Sequence, residues 1–234
     1  KSDNIILDCQ GYSIIGDGTV TLLIKSGIIA NNRKNVTIRN CIVYNFSLTS
    51  PFNGISFEYT NNSRIFNTTV FANWAGIYLK NSNNNILDKI NASKNPFGQP
   101  ASYGILAEGE NNQINNSIVH SYLRGIYILG RNNSIENSIL LNNSNGIGIE
   151  STSDMAAQEN LIDNVIINGF LRASIAGVRF TRFQGKKEVS LNILRNSRIF
   201  ANQFGIFMQD ANNNSVYNNF LNNTENARDT NTSR

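Results

Sequence analysis

Apolar and polar residues alternate in short runs, and the runs restart at regular intervals. Each opens on glycine followed by isoleucine or valine: Gly54-Ile55, Gly76-Ile77, Gly104-Ile105, Gly125-Ile126, Gly146-Ile147, Gly177-Val178 and Gly205-Ile206. Within a run, pairs such as Ile55 and Phe57, Ile77 and Leu79, and Ile147 and Ile149 are two apart, the period of a strand that buries one face. An Asn-rich turn leads to a second alternating run. Its inward residues are expected at Ile38, Ile65, Ile86, Ile114, Ile135, Leu161, Leu194 and Val216. No long stretch has the three-four apolar spacing of a helix, and Asn and Gly are poor helix formers.

The glycines are separated by 22, 28, 21, 21, 31 and 28 residues, the signature of a repeat architecture. One unit cannot bury its own apolar face, so units must stack. Rungs about 4.8 Å apart, nine or so of them, would make a rod roughly 40 Å long. Two residues beyond the second run lies the column Asn40, Asn67, Asp88, Asn116, Asn137, Asp163, Asn196 and Asn218, which Asp8 extends by one coil. A side-chain amide both donates and accepts, and asparagine tolerates the left-handed backbone of tight turns, so this column is expected to form an asparagine ladder. The repeat is uninterrupted, and residues 1–234 read as one all-β domain. It would have an opening coil and partial cap over 1–30, regular coils over 31–223 and a polar tail over 224–234.

The segment IILDCQGYSIIGDG, then VTIRNC, then units of the type GIYL and NNNILD, resemble the NosD-like group of right-handed parallel β-helix proteins. That group belongs to the wider class of carbohydrate-binding and sugar-hydrolase β-helices found as surface modules of archaea and bacteria. The resemblance covers essentially the whole chain. It implies a single-stranded right-handed solenoid and an extracellular or cell-surface location, with the periplasm as the alternative. The same rung pattern serves enzymes, adhesins and assembly factors, so function rests on sites.

The formal charge of +4 is too small to imply nucleic acid, and no apolar run approaches the length of a membrane span. Repeat register sets Cys9 beside Cys41 in adjacent coils, compatible with a disulfide or with two buried thiols. Eleven Asn-x-Ser/Thr sequons are candidate glycosylation sites: Asn35, Asn45, Asn61, Asn67, Asn91, Asn115, Asn132, Asn142, Asn213, Asn222 and Asn231. The turns themselves also favour Asn-Asn-Ser.

Two outward columns carry the candidate chemistry. Two residues after the glycines stand Ser56, Tyr78, Leu106, Tyr127, Gly148, Arg179 and Phe207, whose rings would hold sugars, with Tyr78, Tyr127, Arg179 and Phe207 as the ligand-binding candidates. Four residues after them stand Glu58, Lys80, Glu108, Leu129, Glu150, Thr181 and Gln209. Glu108 and Glu150, two rungs apart, are the best carboxylate pair, with a spacing at the edge of that used by an inverting glycosidase. A charge ladder on a solvated face explains the same column. Beyond it, Arg182, Lys186 and Lys187 join Arg179 in a basic stretch suited to an acidic glycan or to a partner surface.

The namesakes' link to copper-site maturation finds little to attach to, since His120 is the sole histidine and Met155 and Met208 are far apart in the repeat. No cofactor is expected. The sequence therefore points to a non-catalytic structural or adhesive surface protein that contacts glycans or copies of itself. The alternatives are a polysaccharide-active enzyme using Glu108 and Glu150, and a periplasmic metal-site accessory protein.

Overall fold

The computed structural model describes residues 3–18, 26–47, 52–93, 103–169 and 175–230. Among them every regular element is a strand, and every strand pair is parallel. The strands Ser26–Asn31, Asn53–Glu58, Ala75–Lys80, Tyr103–Glu108, Arg124–Leu129, Asn145–Glu150, Ala176–Thr181, Phe204–Gln209 and Glu225–Thr230 stack in chain order as one nine-stranded sheet. A second sheet holds sixteen strands in two ladders side by side, fused where Arg64–Asn73 and Ile86–Ser93 run through both. The described residues therefore form a parallel β-helix of nine rungs. The Glu225–Thr230 segment, expected as polar tail, pairs with Phe204–Gln209 and forms the ninth.

The glycines occupy a corner. A Cβ on Gly104 would meet Val119 Cγ1 at 2.3 Å and the Gly125 carbonyl oxygen at 2.6 Å, so close stacking of rungs excludes any larger residue there. Past the corner the expected columns hold: Ile55, Ile77, Ile105, Ile126, Ile147, Val178 and Ile206 are in register and buried. In the second sheet two inward assignments are corrected. Leu87 and Ile162 are fully buried and in register with Ile65 and Ile135, whereas Ile86 and Leu161 face outward. In both units two adjacent residues are apolar, so alternation alone cannot tell which one is inside.

That one-residue slip also corrects the ladder. Asn40, Asn67, Lys89, Asn116, Asn137, Asn164, Asn196 and Asn218 all have positive φ and form the turn column. Asp8, Asp88 and Asp163 stand one residue earlier, where they accept amide hydrogens from Asn40, Asn116 and Asn196. The buried ladder lies elsewhere, two residues before the inward position: Asn85, Asn112, Asn133, Asn160 and Asn192, continued by Asn214. Each Oδ1 accepts the backbone N–H of the rung before, at 2.9–3.0 Å in the steps to Asn112, Asn133 and Asn160. Each Nδ2 returns to a backbone carbonyl, as from Asn133 to Gly109 at 3.0 Å.

Cys9 and Cys41 are joined by a disulfide between the first two coils, with Cα atoms 4.8 Å apart. At this end the described residues Ile5, Leu7, Ile28, Ile29, Val36 and Ile38, among others, line an apolar groove of about 560 Å³. The expected cap over the first rung falls partly on residues 19–25, outside the described residues.

Candidate functional site

The outward face of the nine-stranded sheet brings together most of the candidate residues. Ser56, Tyr78, Leu106, Tyr127, Gly148, Arg179 and Phe207 are in register on successive rungs, and the Glu58-to-Gln209 column runs beside them. Two Tyr–Glu pairs repeat with a two-rung step. Tyr78 Oη donates to Glu108 Oε2 at 2.9 Å, and Tyr127 bonds Glu150 on the next rung. Burial holds the Glu108 carboxyl above its ordinary value, against the hydrogen bond from Tyr78 and the charge of Lys80. Burial does the same to Glu150, against Tyr127 and then Arg179 and Arg124. The phenol groups of Tyr78 and Tyr127 are in turn raised, first by burial and then by their carboxylates. Lys80 pairs with Glu58 at 2.7 Å, so the charge ladder exists over two rungs and gives way to hydrogen bonding at Glu108.

Tyr127 is not the exposed platform expected. It is only 5% exposed, and its ring lies flat in the space that a side chain on Gly148 would fill, where a Cβ would sit 2.3 Å from Cε2. Phe207 and Arg179 also pack together, with the guanidinium 5.4 Å from the ring centre, while Arg179 reaches Glu150 at 3.6 Å. The partly exposed rings are Tyr78, Phe207 and two that sequence reasoning missed, Trp74 and Tyr103. Tyr103 makes edge contacts with Trp74 at 5.4 Å and with Tyr127 at 5.5 Å. Arg124, also missed, packs beside this pair, with its guanidinium carbon 5.1 Å and 5.0 Å from the ring centres of Tyr103 and Tyr127. Tyr103 and Arg124 stand immediately before the corner glycine. Counting alternation forward from each glycine skips that position, and scanning the residue before each glycine would have found it.

The remaining candidates are dispersed. Arg182, Lys186 and Lys187 lie on the loop after Ala176–Thr181, the two lysines exposed, with Arg182 Nε donating to the Lys186 carbonyl at 3.1 Å. His120 is half-buried in the other sheet, in register with Leu141, and burial lowers its pKa. Among the described residues no three His, Cys, Asp or Glu side chains gather in a way that could hold a metal, and no helix is long and apolar enough to cross a membrane. Of the sequons, Asn35, Asn67, Asn91, Asn132, Asn142, Asn213 and Asn222 are exposed. Asn35, Asn45 and Asn67 donate to neighbouring coils, Asn61 Oδ1 accepts from Asn83 N, and Asn115 Oδ1 is buried. Asn231 lies outside the described residues.

The family model for the right-handed β-helix region matches residues 2–162 and 99–233, and the chain belongs to that family. No curated protein sequence matches it. Among solved structures it is similar to the tailspike protein of Escherichia coli bacteriophage HK620, seen in complex with a pentasaccharide, with a TM-score of 0.65 at 13% identity over 97% of this chain and 45% of the tailspike. It is similar to an alginate lyase from a Paenibacillus species, with a TM-score of 0.59 at 12% identity over 83% of this chain and 74% of the lyase. The A-module of an Azotobacter vinelandii mannuronan C-5 epimerase gives a TM-score of 0.54 at 14% identity over 80% and 58%. The chain spans less than half the length of the tailspike, and at these identities the likeness is one of fold.

Proposed function

We propose that this chain is an extracellular, non-catalytic β-helix that binds glycan along the outward face of its nine-stranded sheet. The observation that carries this reading is the continuous group Trp74, Tyr103, Arg124, Tyr127, Glu150 and Arg179, which places half-exposed rings beside fixed hydrogen-bonding groups on a rigid sheet. Similar folds that bind or act on polysaccharides support it. A carbohydrate-contacting member of the surface group that the sequence resembles fits the same face.

Trp74 is the only tryptophan and stands at the edge of the face, so its emission reports occupancy. Titration with neutral and acidic oligosaccharides is expected to shift it, and Trp74→Phe to abolish the signal without abolishing binding. If no oligosaccharide changes the emission or binds on an array, the reading fails. One observation favours catalysis instead: a buried carboxyl, Glu150, and a half-buried one, Glu108, both with raised proton affinity, are what acid catalysts need. Cleaved or unsaturated products that disappear in Glu108→Gln and Glu150→Gln would establish that alternative.

A further inference from the structure

One ladder of the sixteen-stranded sheet turns an apolar surface outward. A column on it reads Asn91, Ile118, Ile139, Ile166 and Arg198 on successive rungs, in register throughout. Ile118 is 41% exposed, and Ile139 and Ile166 are partly exposed. Beside them His120, Leu141 and Asn168 continue the outward surface, and among all these residues Arg198 carries the one formal charge. The other two outward faces differ. The neighbouring ladder pairs Arg39 with Asp8, Arg64 with Asp88 and Arg195 with Asp163, and the nine-stranded sheet pairs Lys80 with Glu58 and Arg179 with Glu150. Three isoleucines in line leave contiguous apolar surface in water, and removal of such surface from water is what drives association.

We propose that this face binds a second copy of the chain, with the two rods antiparallel about a twofold axis that lies between them along Ile139–Leu141. A twofold interface must be complementary to itself, and this column reads alike from both ends: a polar residue, three isoleucines, a polar residue. The axis keeps strand direction and reverses the order of rungs. It therefore sets Ile118 against Ile166 of the second copy, His120 against Asn168, and Ile139 and Leu141 against their own equivalents. Asn91 meets Arg198, so the guanidinium gains the amide carbonyl as an acceptor. The rungs from Thr69 to Phe220 overlap, about 34 Å by 14 Å on each copy and roughly 1,000 Å² in all, the size of a weak, concentration-dependent complex. A glycan on Asn91 would fill the interface, so the dimer requires that sequon to be unmodified. The nine-stranded sheet stays uncovered, and the inference does not depend on the glycan-binding reading.

The test is sedimentation velocity of the unglycosylated full chain over a concentration series from micromolar to millimolar. The unaltered chain is expected to show a reversible monomer–dimer equilibrium. Ile118→Lys and Ile166→Glu should each weaken it at least about tenfold, since each buries a charge against isoleucine. The two substitutions together should recover most of that loss, because the axis then sets each lysine against a glutamate of the other copy. Ile86→Lys, on the outward face of the neighbouring ladder, should leave the equilibrium unchanged. A chain that stays monomeric throughout the series would overturn the inference, and that outcome is read on the unaltered protein, whatever the variants do. A dimer that survives Ile118→Lys, or that Ile86→Lys weakens as much, would place the contact on another face and would also overturn it. A double variant no tighter than the single ones would overturn the antiparallel register.

Discussion

Asn133 and Asn137 stand four residues apart around one strand, and their amides have different jobs. Asn133 is buried: Oδ1 accepts the N–H of Asn112, and Nδ2 donates to the Gly109 carbonyl and to Asn160. Asn137 sits at a turn with φ of 51° and accepts a single exposed bond from Asn164. Asn133→Ala should cost about 2–3 kcal/mol, because it orphans a buried N–H and a buried carbonyl. Asn137→Ala should cost about 1 kcal/mol from backbone conformation, and Asn137→Gly less still. Urea unfolding of the three variants checks the order; equal losses at 133 and 137 would refute the division of labour. The same grammar accounts for many sequons. In Asn132-Asn133-Ser134 and Asn213-Asn214-Ser215 an exposed left-handed Asn precedes a ladder Asn and a Ser. That a ladder existed was legible in the sequence. Which of two Asn columns was buried was not, because both recur with the same period and differ only in side-chain direction.

At the scale of the strand, the rung at Asn145–Glu150 owes its outward shape to one missing side chain. Gly148→Ala would force the Tyr127 ring off the sheet, since a Cβ there comes within 2.3 Å of Cε2. The displaced ring would lose its contacts with Glu150 and Arg124. The expected result is a loss of glycan affinity with a small fall in melting temperature. Unchanged binding would show that this cluster does not contact the glycan. A second element is set apart by covalent chemistry. The first coil has a neighbour on one side only among the described rungs, and the Cys9–Cys41 bond closes a loop 32 residues long. The chain-entropy account gives such a link about 3–4 kcal/mol. In a solenoid that energy acts on the nearest rungs, so reduction should speed hydrogen exchange in Ile6–Asp8 and Ser13–Ile15 and leave Arg124–Leu129 unaffected. Rung spacing had put the two cysteines side by side, and geometry selects the bonded form of the two readings that spacing allowed. The cluster of Tyr103, Arg124 and Tyr127 escaped notice because its members come from positions before and after the corner, and strict alternation treats those as unrelated.

Across the whole molecule, the carboxylates divide into two groups with opposite pH behaviour. In Glu108 and Glu150 burial raises proton affinity in the folded state. Their stabilising contribution is complete below the pKa of the unfolded chain and is lost as pH rises through their folded values. Asp8 and Asp163 are the reverse. Asn40 and the Gln10 N–H lower Asp8, and Arg195 and Asn196 lower Asp163 despite partial burial. What they contribute is present above the unfolded value and is lost as pH falls through the folded one. Stability should therefore decline in both directions from mildly acidic pH, for unrelated reasons at different places on the rod. Glu108→Gln isolates the alkaline side. The glutamine carbonyl can still accept from Tyr78 but has no charge to bury. Its melting temperature should fall less than that of the unaltered chain between pH 4 and pH 7, with the two curves converging near pH 4. Asp163→Asn should flatten the acid side and lower stability at pH 7, where Arg195 loses its partner at 2.7 Å. If the Glu108→Gln curve runs parallel to that of the unaltered chain from pH 4 to pH 7, the outward carboxylates are solvated in solution, and the face is an open charge ladder instead of a desolvated binding surface.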